Sequence, residues 1–298
     1  MPELPEVETI CRGLQQLIVG RRILGVKVFN ERSFQADPAE TETYLIGAKV
    51  ARVHRRAKVL IIDLSTDYSL VIHLKMTGQL VFRDEEKPDA TFRDDSSAVT
   101  LPGRSTRVEF DFNDNTKLFF NDQRKFGWVK LLPTVEVETL DFLRKVGPEP
   151  LTGDPKLPAQ FLKNIRHHNA TTIKAALLNQ TVIAGIGNIY ADESLWSAKV
   201  HPASRVRDLS DAKLKKILQA VIDVMNKSLA SGGSTMKDYV RADGTKGSYL
   251  EKFAQVFNRE GQPCSRCGTT IEKIRVAGRG THICPKCQKF VVDAKPQS

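Results

Sequence analysis

Four of the five cysteines in this 298-residue chain stand in two Cys-x2-Cys pairs. Sixteen residues separate the pairs, whose members are Cys264, Cys267, Cys284 and Cys287. Two such pairs, each in a tight turn, can offer four thiolates to one tetrahedral zinc ion. Disulfides are the alternative, but the paired spacing and the expected cytosolic location disfavour them. We therefore predict one structural zinc in a finger that spans residues 261–290.

The charge of the chain is distributed unevenly along its length. The formal net charge is +10, yet residues 1–150 carry a net charge of −1 and residues 151–298 carry +11. A basic excess confined to one half is typical of proteins that bind a polyanion, most often a nucleic acid. A basic surface with no such partner is the alternative, and charge alone does not separate the two.

The start of the chain and its hydropathy bear on location. The segment Met1–Glu6 is acidic and rich in proline, without the basic start and apolar core of a secretory signal. No apolar run reaches the roughly 18 residues of a membrane span. We therefore expect a cytoplasmic protein that does not bind membranes, and we expect it to be a monomer.

The apolar pattern predicts an α+β chain. After Pro5, apolar residues recur at spacings of three and four, which predicts a helix, with Cys11 on its buried face. Short strands are predicted at 22–29, 48–54, 58–64, 68–74, 78–82, 106–112, 117–121 and 127–132. Helices are predicted at 135–145, 158–166, 171–179, 188–198 and 210–230, the last capped by Ser210. Many short strands indicate a sandwich or barrel-like domain, and the polar stretch 83–104 reads as a long mobile insertion.

Five stretches of sequence accompany the cysteine pairs. They are Met1–Thr9, Arg55–Lys58, His73–Gly78, Arg124–Gly127 and Gly185–Ala191. In this order, and over residues 2 to about 290, they resemble the formamidopyrimidine-DNA glycosylase family. The resemblance implies an N-terminal β-sandwich with an N-terminal helix, then a helical domain with a helix-two-turn-helix motif and a C-terminal four-cysteine zinc finger. It also implies that DNA binds between the two domains.

The resemblance sets the expected domain boundaries. Residues 1–133 would form the catalytic β-sandwich, and 134–150 a hinge that includes Gly147–Pro150. Residues 151–260 would form the helix-two-turn-helix domain, with a loop at 237–249 that covers the lesion. The finger at 261–290 and a tail at 291–298 complete the chain.

The resemblance makes Pro2 the nucleophile of a DNA glycosylase with lyase activity. Base excision followed by strand cleavage requires an imine at C1′ of the sugar, so the attacking amine must be unprotonated. An α-amine titrates near ~8, whereas a lysine titrates near ~10.4. The secondary amine of Pro2 would give a charged iminium directly, once Met1 is removed. An ordinary N-terminal proline would be the better interpretation without the rest of the motif.

Three further residues near this end are given chemical or supporting roles by the resemblance. Glu3 would protonate the sugar ring oxygen or move protons as the ring opens. Glu6 would anchor the N-terminal turn. Lys58 would contact a phosphate near the lesion and donate a proton during β-elimination. Carboxylates favoured at a helix N-terminus by its dipole, and a solvated lysine, are the simpler interpretations.

The remaining expected DNA contacts follow from the same resemblance. An enzyme that flips a base out of duplex DNA leaves a gap, which apolar wedges commonly fill. Met76 and Phe126 would fill it, and Arg124 would bond the orphaned cytosine. Lys174 would belong to the lesion pocket, and Asn188 would cap a helix and bind phosphate. Arg279, between the two cysteine pairs, would grip phosphate and assist δ-elimination.

Some positions depart from the family pattern, and two rival functions remain. Ser105 and Asn169 stand where relatives commonly carry DNA-contacting residues, and Lys75 where many carry glycine. Endonuclease VIII shares the fold and the nucleophile but prefers oxidised pyrimidines; Leu4 and Arg124–Phe126 favour the purine enzyme. A non-catalytic zinc protein that binds damaged DNA is the second rival, and it predicts binding without covalent trapping.

Overall fold

A computed structural model describes residues 1–84, 101–234, 242 and 247–290. As far as it is described, the chain divides into two compact units. The first comprises Met1–Arg144 with Ser231–Ser248, and the second comprises Lys145–Ala230 with Tyr249–Ser298. Most of the predicted insertion at 83–104, most of the loop at 237–249 and the tail at 291–298 lie outside the described residues. Within the described ranges, no helix is long and apolar enough to cross a membrane.

The described part of the first unit begins with a helix and continues with nine strands. Its helices are α1 (Leu4–Ile18), α2 (Pro38–Glu40), α3 (Thr134–Val137) and α4 (Asp141–Arg144), with a short π-helix at Thr41–Leu45. Its strands are β1 (Ile23–Val28), β2 (Phe34–Gln35), β3 (Val50–Arg56), β4 (Val59–Leu64), β5 (Tyr68–His73), β6 (Gly78–Asp84), β7 (Thr106–Phe112), β8 (Thr116–Asp122) and β9 (Trp128–Pro133). The eight predicted strands are thus found, and within the described residues of this unit β2 is the strand that the sequence pattern missed.

These strands form two sheets that face each other across one core, which confirms the predicted sandwich. One sheet has the order β1-β7-β8-β6, and the other has the order β2-β9-β5-β4-β3. Alternate residues of both sheets, such as Leu60 and Phe120, are fully buried in the same apolar cluster. Helix α1 adds its apolar stripe, including Leu14 and Cys11. The opposite face of the five-stranded sheet is covered by Val137 and Leu143 of α3 and α4.

The second unit is mainly helical and ends in a small hairpin. Its helices are α5 (Leu157–Arg166), α6 (Ile173–Leu178), α7 (Asn188–Ser197), α8 (Asp211–Ala230) and α9 (Tyr249–Phe253). Its hairpin consists of β10 (Glu272–Val276) and β11 (Arg279–Ile283). The side chain of Ser210 accepts a hydrogen bond from the N–H of Lys213 at 3.2 Å, as its predicted capping role requires.

The single helix predicted at 135–145 is wrong, because the chain breaks it into α3 and α4. At the break, the N–H and the hydroxyl of Thr139 both donate to the carbonyl of Glu136, at 3.0 and 2.7 Å. The N–H of Leu140 donates to Val137, three residues back. A threonine side chain that takes over a nearby carbonyl competes with the helical ladder, and this tightens the turn.

Candidate functional site

The N-terminal turn holds Pro2 and Glu3 in a buried position immediately before α1. One carboxylate oxygen of Glu6 accepts the N–H of Glu3 at 2.8 Å. The other accepts the N–H and the hydroxyl of Ser234 at 2.7 and 2.8 Å. Glu6 is 1% exposed and connects the N-terminal turn to Ser234, which immediately precedes residues outside the described part of the chain. Sequence reasoning did not anticipate this contact with Ser234.

Lys58 lies at the turn between β3 and β4, next to Ala57, whose φ is +53°. Only 6% of Lys58 is exposed. The neighbouring end of β5 carries His73, whose Nδ1 accepts the N–H of Lys75 at 2.9 Å. Burial, together with the charges of Lys75 and Lys58, lowers the pKa of His73 to about 4. His73 is therefore neutral at physiological pH, as this hydrogen bond requires.

We expect His73 to make the first unit less stable as the pH falls from about 6.5 to about 4. The folded-state pKa lies below the unfolded one, so the unfolded chain binds a proton that the folded chain refuses. The contribution of His73 is complete above the unfolded pKa and is lost as the pH falls to the folded pKa. His73→Asn keeps an acceptor for Lys75 but does not titrate. It should flatten the pH dependence of the free energy of unfolding by on the order of 2 kcal/mol. Denaturant unfolding of both proteins at several pH values measures this, and parallel curves would contradict it.

Two loops of the first unit carry the predicted wedge residues. Met76 stands between β5 and β6 and is 41% exposed, and Phe126 stands between β8 and β9 and is 54% exposed. The guanidinium of Arg124 lies 4.8 Å from the centre of the Phe126 ring. Exposed large apolar side chains beside a stacked arginine form a surface that can take the place of a base.

Lys174, which the resemblance assigns to the lesion pocket, is fully buried. Its ammonium donates to Asp192 at 2.6 Å, to the hydroxyl of Thr281 at 2.7 Å and to the carbonyl of Gly280 at 3.2 Å. The second oxygen of Asp192 accepts the N–H of His282 at 2.9 Å. The Lys174–Asp192 pair therefore holds the first residues of β11, next to the exposed Arg279. A direct contact of Lys174 with DNA would require these bonds to open.

Asn188 is the first residue of α7, and the cap that precedes the helix is Gly187, not Asn188 as predicted. The side-chain amide of Asn188 donates to the carbonyl of Gly280 at 3.0 Å. The loop before α7 is braced by Gln180, whose amide oxygen accepts the N–H of Gly185 at 2.9 Å. Asn188 and Lys174 thus both contact the carbonyl of Gly280, and the structure brings both of them to the start of β11, where Arg279 stands.

The four paired cysteines converge in the second unit. All four sulfur atoms lie within 4.8 Å of one another. The sulfur of Cys267 is 3.5 Å from that of Cys284 and 3.5 Å from that of Cys287. Four thiolates at about 2.3 Å from a zinc ion would be separated by about 3.8 Å, so this set fits one zinc without a position left for water. The N–H of Cys287 also donates to the sulfur of Cys284 at 3.4 Å, and such a bond favours the thiolate. The predicted zinc site is confirmed.

Several buried carboxylates that organise these sites were missed by sequence reasoning. Asp122 is the last residue of β8, and Asp192 and Glu193 lie inside the largely buried helix α7. Glu193 accepts the backbone N–H groups of three consecutive residues, Gln255, Val256 and Phe257. The sequence did carry one signal for Asp192 and Glu193. Acidic residues in a helix that is otherwise mostly buried must find hydrogen-bond partners, because buried charges require them.

Family models match three parts of the chain. The formamidopyrimidine-DNA glycosylase N-terminal domain matches residues 1–129. The formamidopyrimidine-DNA glycosylase H2TH domain matches residues 146–240. A zinc finger found in FPG and IleRS matches residues 261–289, the region of the four cysteines.

Similar proteins and solved structures cover nearly the whole chain. The formamidopyrimidine-DNA glycosylases of Listeria innocua and Pelotomaculum thermopropionicum are 39% and 38% identical to it over 97% of the chain, and the matches cover 100% and 99% of those proteins. The Lactococcus lactis protein, crystallised with abasic-site DNA, has a TM-score of 0.83 at 34% identity over 96% of this chain and 99% of its own. A MutM complex with DNA that contains carbocyclic 8-oxo-G has a TM-score of 0.82 at 34% identity, covering 97% and 100%. This chain belongs to the formamidopyrimidine-DNA glycosylase family.

Proposed function

We propose that this protein is a base-excision repair enzyme for oxidised purines. It flips 8-oxoguanine or a formamidopyrimidine out of duplex DNA, excises the base, and cleaves the abasic site by β,δ-elimination through an imine on Pro2. We expect it to act in the cytoplasm on chromosomal DNA, with one structural zinc. One observation carries the proposal: the full-length similarity to relatives whose structures hold DNA with 8-oxo-G, Fapy-dG or an abasic site.

The N-terminal turn suits the covalent step. Glu6 accepts the N–H of Glu3, so the preceding residue, Pro2, is held in one position at the start of α1. After removal of Met1, the lone pair of the Pro2 nitrogen attacks C1′ as the bond to the base breaks, and the base leaves with that electron pair and takes up a proton. The nitrogen then loses its proton, and its lone pair opens the sugar ring to give an iminium. Glu3 is placed one residue away and would supply the proton at the ring oxygen.

The iminium is the electron sink for strand cleavage. Loss of the C2′ proton expels the 3′ phosphate, and a second elimination expels the 5′ phosphate. We assign Lys58 to phosphate contact and proton donation, and Arg279 to the phosphate at the lesion. Asn188 and Lys174 would support Arg279 through their shared contact with Gly280. This assigns Lys174 to positioning the finger loop, where the sequence resemblance had placed it in the lesion pocket.

A paired cleavage assay tests this function. Duplexes with 8-oxoguanine or thymine glycol, each with a borohydride trap, should show faster excision of the purine lesion and one covalent adduct that maps to the N-terminal residue. A preference for thymine glycol would indicate the endonuclease VIII-like function; a Lactococcus lactis structure with oxidised-pyrimidine DNA makes that comparison necessary. Binding without any trapped adduct would indicate a non-catalytic damage-binding protein and would refute the proposal.

Arg124→Ala is expected to weaken the preference for cytosine over adenine opposite the lesion. Removing a bidentate base contact costs ~1–3 kcal/mol of discrimination, because the orphaned cytosine is left unpaired. Cleavage of a preformed abasic site should fall less, since no base has to be expelled. The measurement compares cleavage of 8-oxoguanine opposite each base, with an abasic control. An unchanged preference would show that Arg124 is only a surface charge.

A further inference from the structure

The two wedge-bearing loops lie side by side because of the sheet topology. The loop after β5 crosses from the five-stranded to the four-stranded sheet, and the loop after β8 crosses back. Strand β5 pairs with β9, and β6 pairs with β8, with Gly78 opposite Asp122. The crossings at Leu74–Gly78 and Gln123–Gly127 are therefore neighbours at one end of the sandwich. We call them the Met76 loop and the Arg124 loop.

One fully buried carboxylate joins these loops. Asp122, the last residue of β8, is 0% exposed. From the Met76 loop it accepts a hydrogen bond from the hydroxyl of Thr77. From the Arg124 loop it accepts the N–H of Arg124 at 3.2 Å and, through its other oxygen, the N–H of Gly127 at 2.7 Å. The hydroxyl of Thr77 in turn accepts the N–H of Arg124 at 3.1 Å, which closes the network across both loops.

The chemistry of this position requires a carboxylate. Both side-chain oxygens of Asp122 face donors, so an amide of the same shape would turn an N–H group towards another N–H or hydroxyl. The backbone carbonyl of Asp122 is held separately by the guanidinium of Arg107 at 2.8 Å. A buried charge that satisfies donors on two loops at once fixes their relative position more tightly than either loop could alone.

Both loops are also held in restricted backbone conformations. Lys75 and Lys125 have φ values of +50° and +57°, a region that side-chain-bearing residues seldom occupy. A Cβ added to Gly127 would lie 2.8 Å from the Phe120 ring and 3.2 Å from Asp122. The Arg124 loop therefore packs closely around the carboxylate of Asp122. Close packing of this kind can hold residues at positive φ, a conformation that is otherwise unfavourable.

We propose that Asp122 is a positioning residue that holds Met76, Arg124 and Phe126 as one rigid surface. This surface fills the gap left by the flipped base and contacts the opposite base. This inference rests on the proposed function of those three residues. Asp122 does not itself touch DNA; it sets the selectivity for the opposite base by fixing where the Arg124 guanidinium and the two apolar side chains stand.

The test is Asp122→Asn, which preserves volume and removes only the match between acceptors and donors. We expect the cytosine-over-adenine preference for 8-oxoguanine cleavage to fall by roughly tenfold, towards that of Arg124→Ala. Cleavage of a preformed abasic site should change by less than about threefold, since that reaction does not require Met76, Arg124 and Phe126 to be held in place. Thr77→Val should give a smaller loss of preference, and Thr77→Ser, which keeps the hydroxyl, should restore it.

Thr106→Val is the matched control. It also removes a buried hydrogen bond at this end of the sandwich, from Thr106 to Asn121 at 2.8 Å, but it leaves both loops untouched. It should lower the melting temperature without changing the opposite-base preference. If Asp122→Asn melts too low to assay, the Thr77 pair decides the question.

The parallel Arg124→Ala assay separates the two levels of inference. If Arg124→Ala loses the preference while Asp122→Asn and Thr77→Val retain it, the role of Asp122 is refuted and the proposed function stands. If Arg124→Ala retains the preference, the proposed contact of Arg124 with the opposite base is wrong. Equal loss of abasic-site and lesion cleavage in Asp122→Asn would show a general structural role and would also overturn the proposal.

Discussion

A chain that keeps an extra residue in front of Pro2 is expected to lose borohydride trapping and strand cleavage, by roughly a thousandfold or more. In such a chain the Pro2 nitrogen is a tertiary amide, which has no lone pair available for attack on C1′. The free α-amine, in contrast, is partly neutral near physiological pH. Trapping on an 8-oxoguanine duplex and on a preformed abasic duplex measures both reactions.

The matched control is the same extended chain after a protease has removed the extension, which should regain full activity. Binding to an uncleavable abasic analogue should survive in the extended chain, because Arg124, Arg279 and the finger are unchanged. Pro2→Gly should retain weaker trapping, since glycine still offers a primary amine. Undiminished trapping by the extended chain would rule out Pro2 as the nucleophile.

Much of the fold follows from local sequence patterns. Runs of apolar and β-branched residues locate all the strands of both sheets except β2, and the three-to-four spacing locates α1 and α8. The cysteine spacing predicts the zinc site, because ligand geometry dictates the spacing. The break near Thr139 was missed, since it depends on one side chain competing with the backbone for a carbonyl.

The partners of buried charges could not be predicted in the same way. Lys174 resembles a DNA-binding residue by its motif, but its partner Asp192 stands 18 residues away on another helix. The contact between Glu6 and Ser234 spans 228 residues. Asp122 is one acidic residue among many until the sheet order brings Thr77 and Gly127 to it. Such pairs depend on topology, which residue spacing alone does not determine.

Cys287→Ser is expected to remove the zinc and, with it, most of the cleavage activity. Wild-type protein should contain about one zinc per chain, because four thiolates close the site. Binding of a structural zinc supplies about 10–16 kcal/mol to small fingers, so its loss should unfold the hairpin β10–β11 and release Arg279. Lesion cleavage should then fall by at least roughly tenfold, because Arg279 would bind the phosphate at the lesion more weakly.

Cys11→Ser is the control that separates loss of a ligand from loss of a thiol. Cys11 is buried in α1, outside the zinc cluster, and burial together with the charge of Glu8 raises the pKa of its thiol to about 11. It is therefore protonated and not a ligand, so Cys11→Ser should keep its zinc and its activity at a modest cost in stability.

The contacts of Lys174 and Asp192 with β11 do not involve zinc. They hold β11, whereas Arg279 also depends on β10, because the pairing of the two strands places Val276 opposite Arg279. Elemental analysis and cleavage rates of the three proteins measure these outcomes, and a zinc-free Cys287→Ser protein with full activity would refute the structural role of the metal.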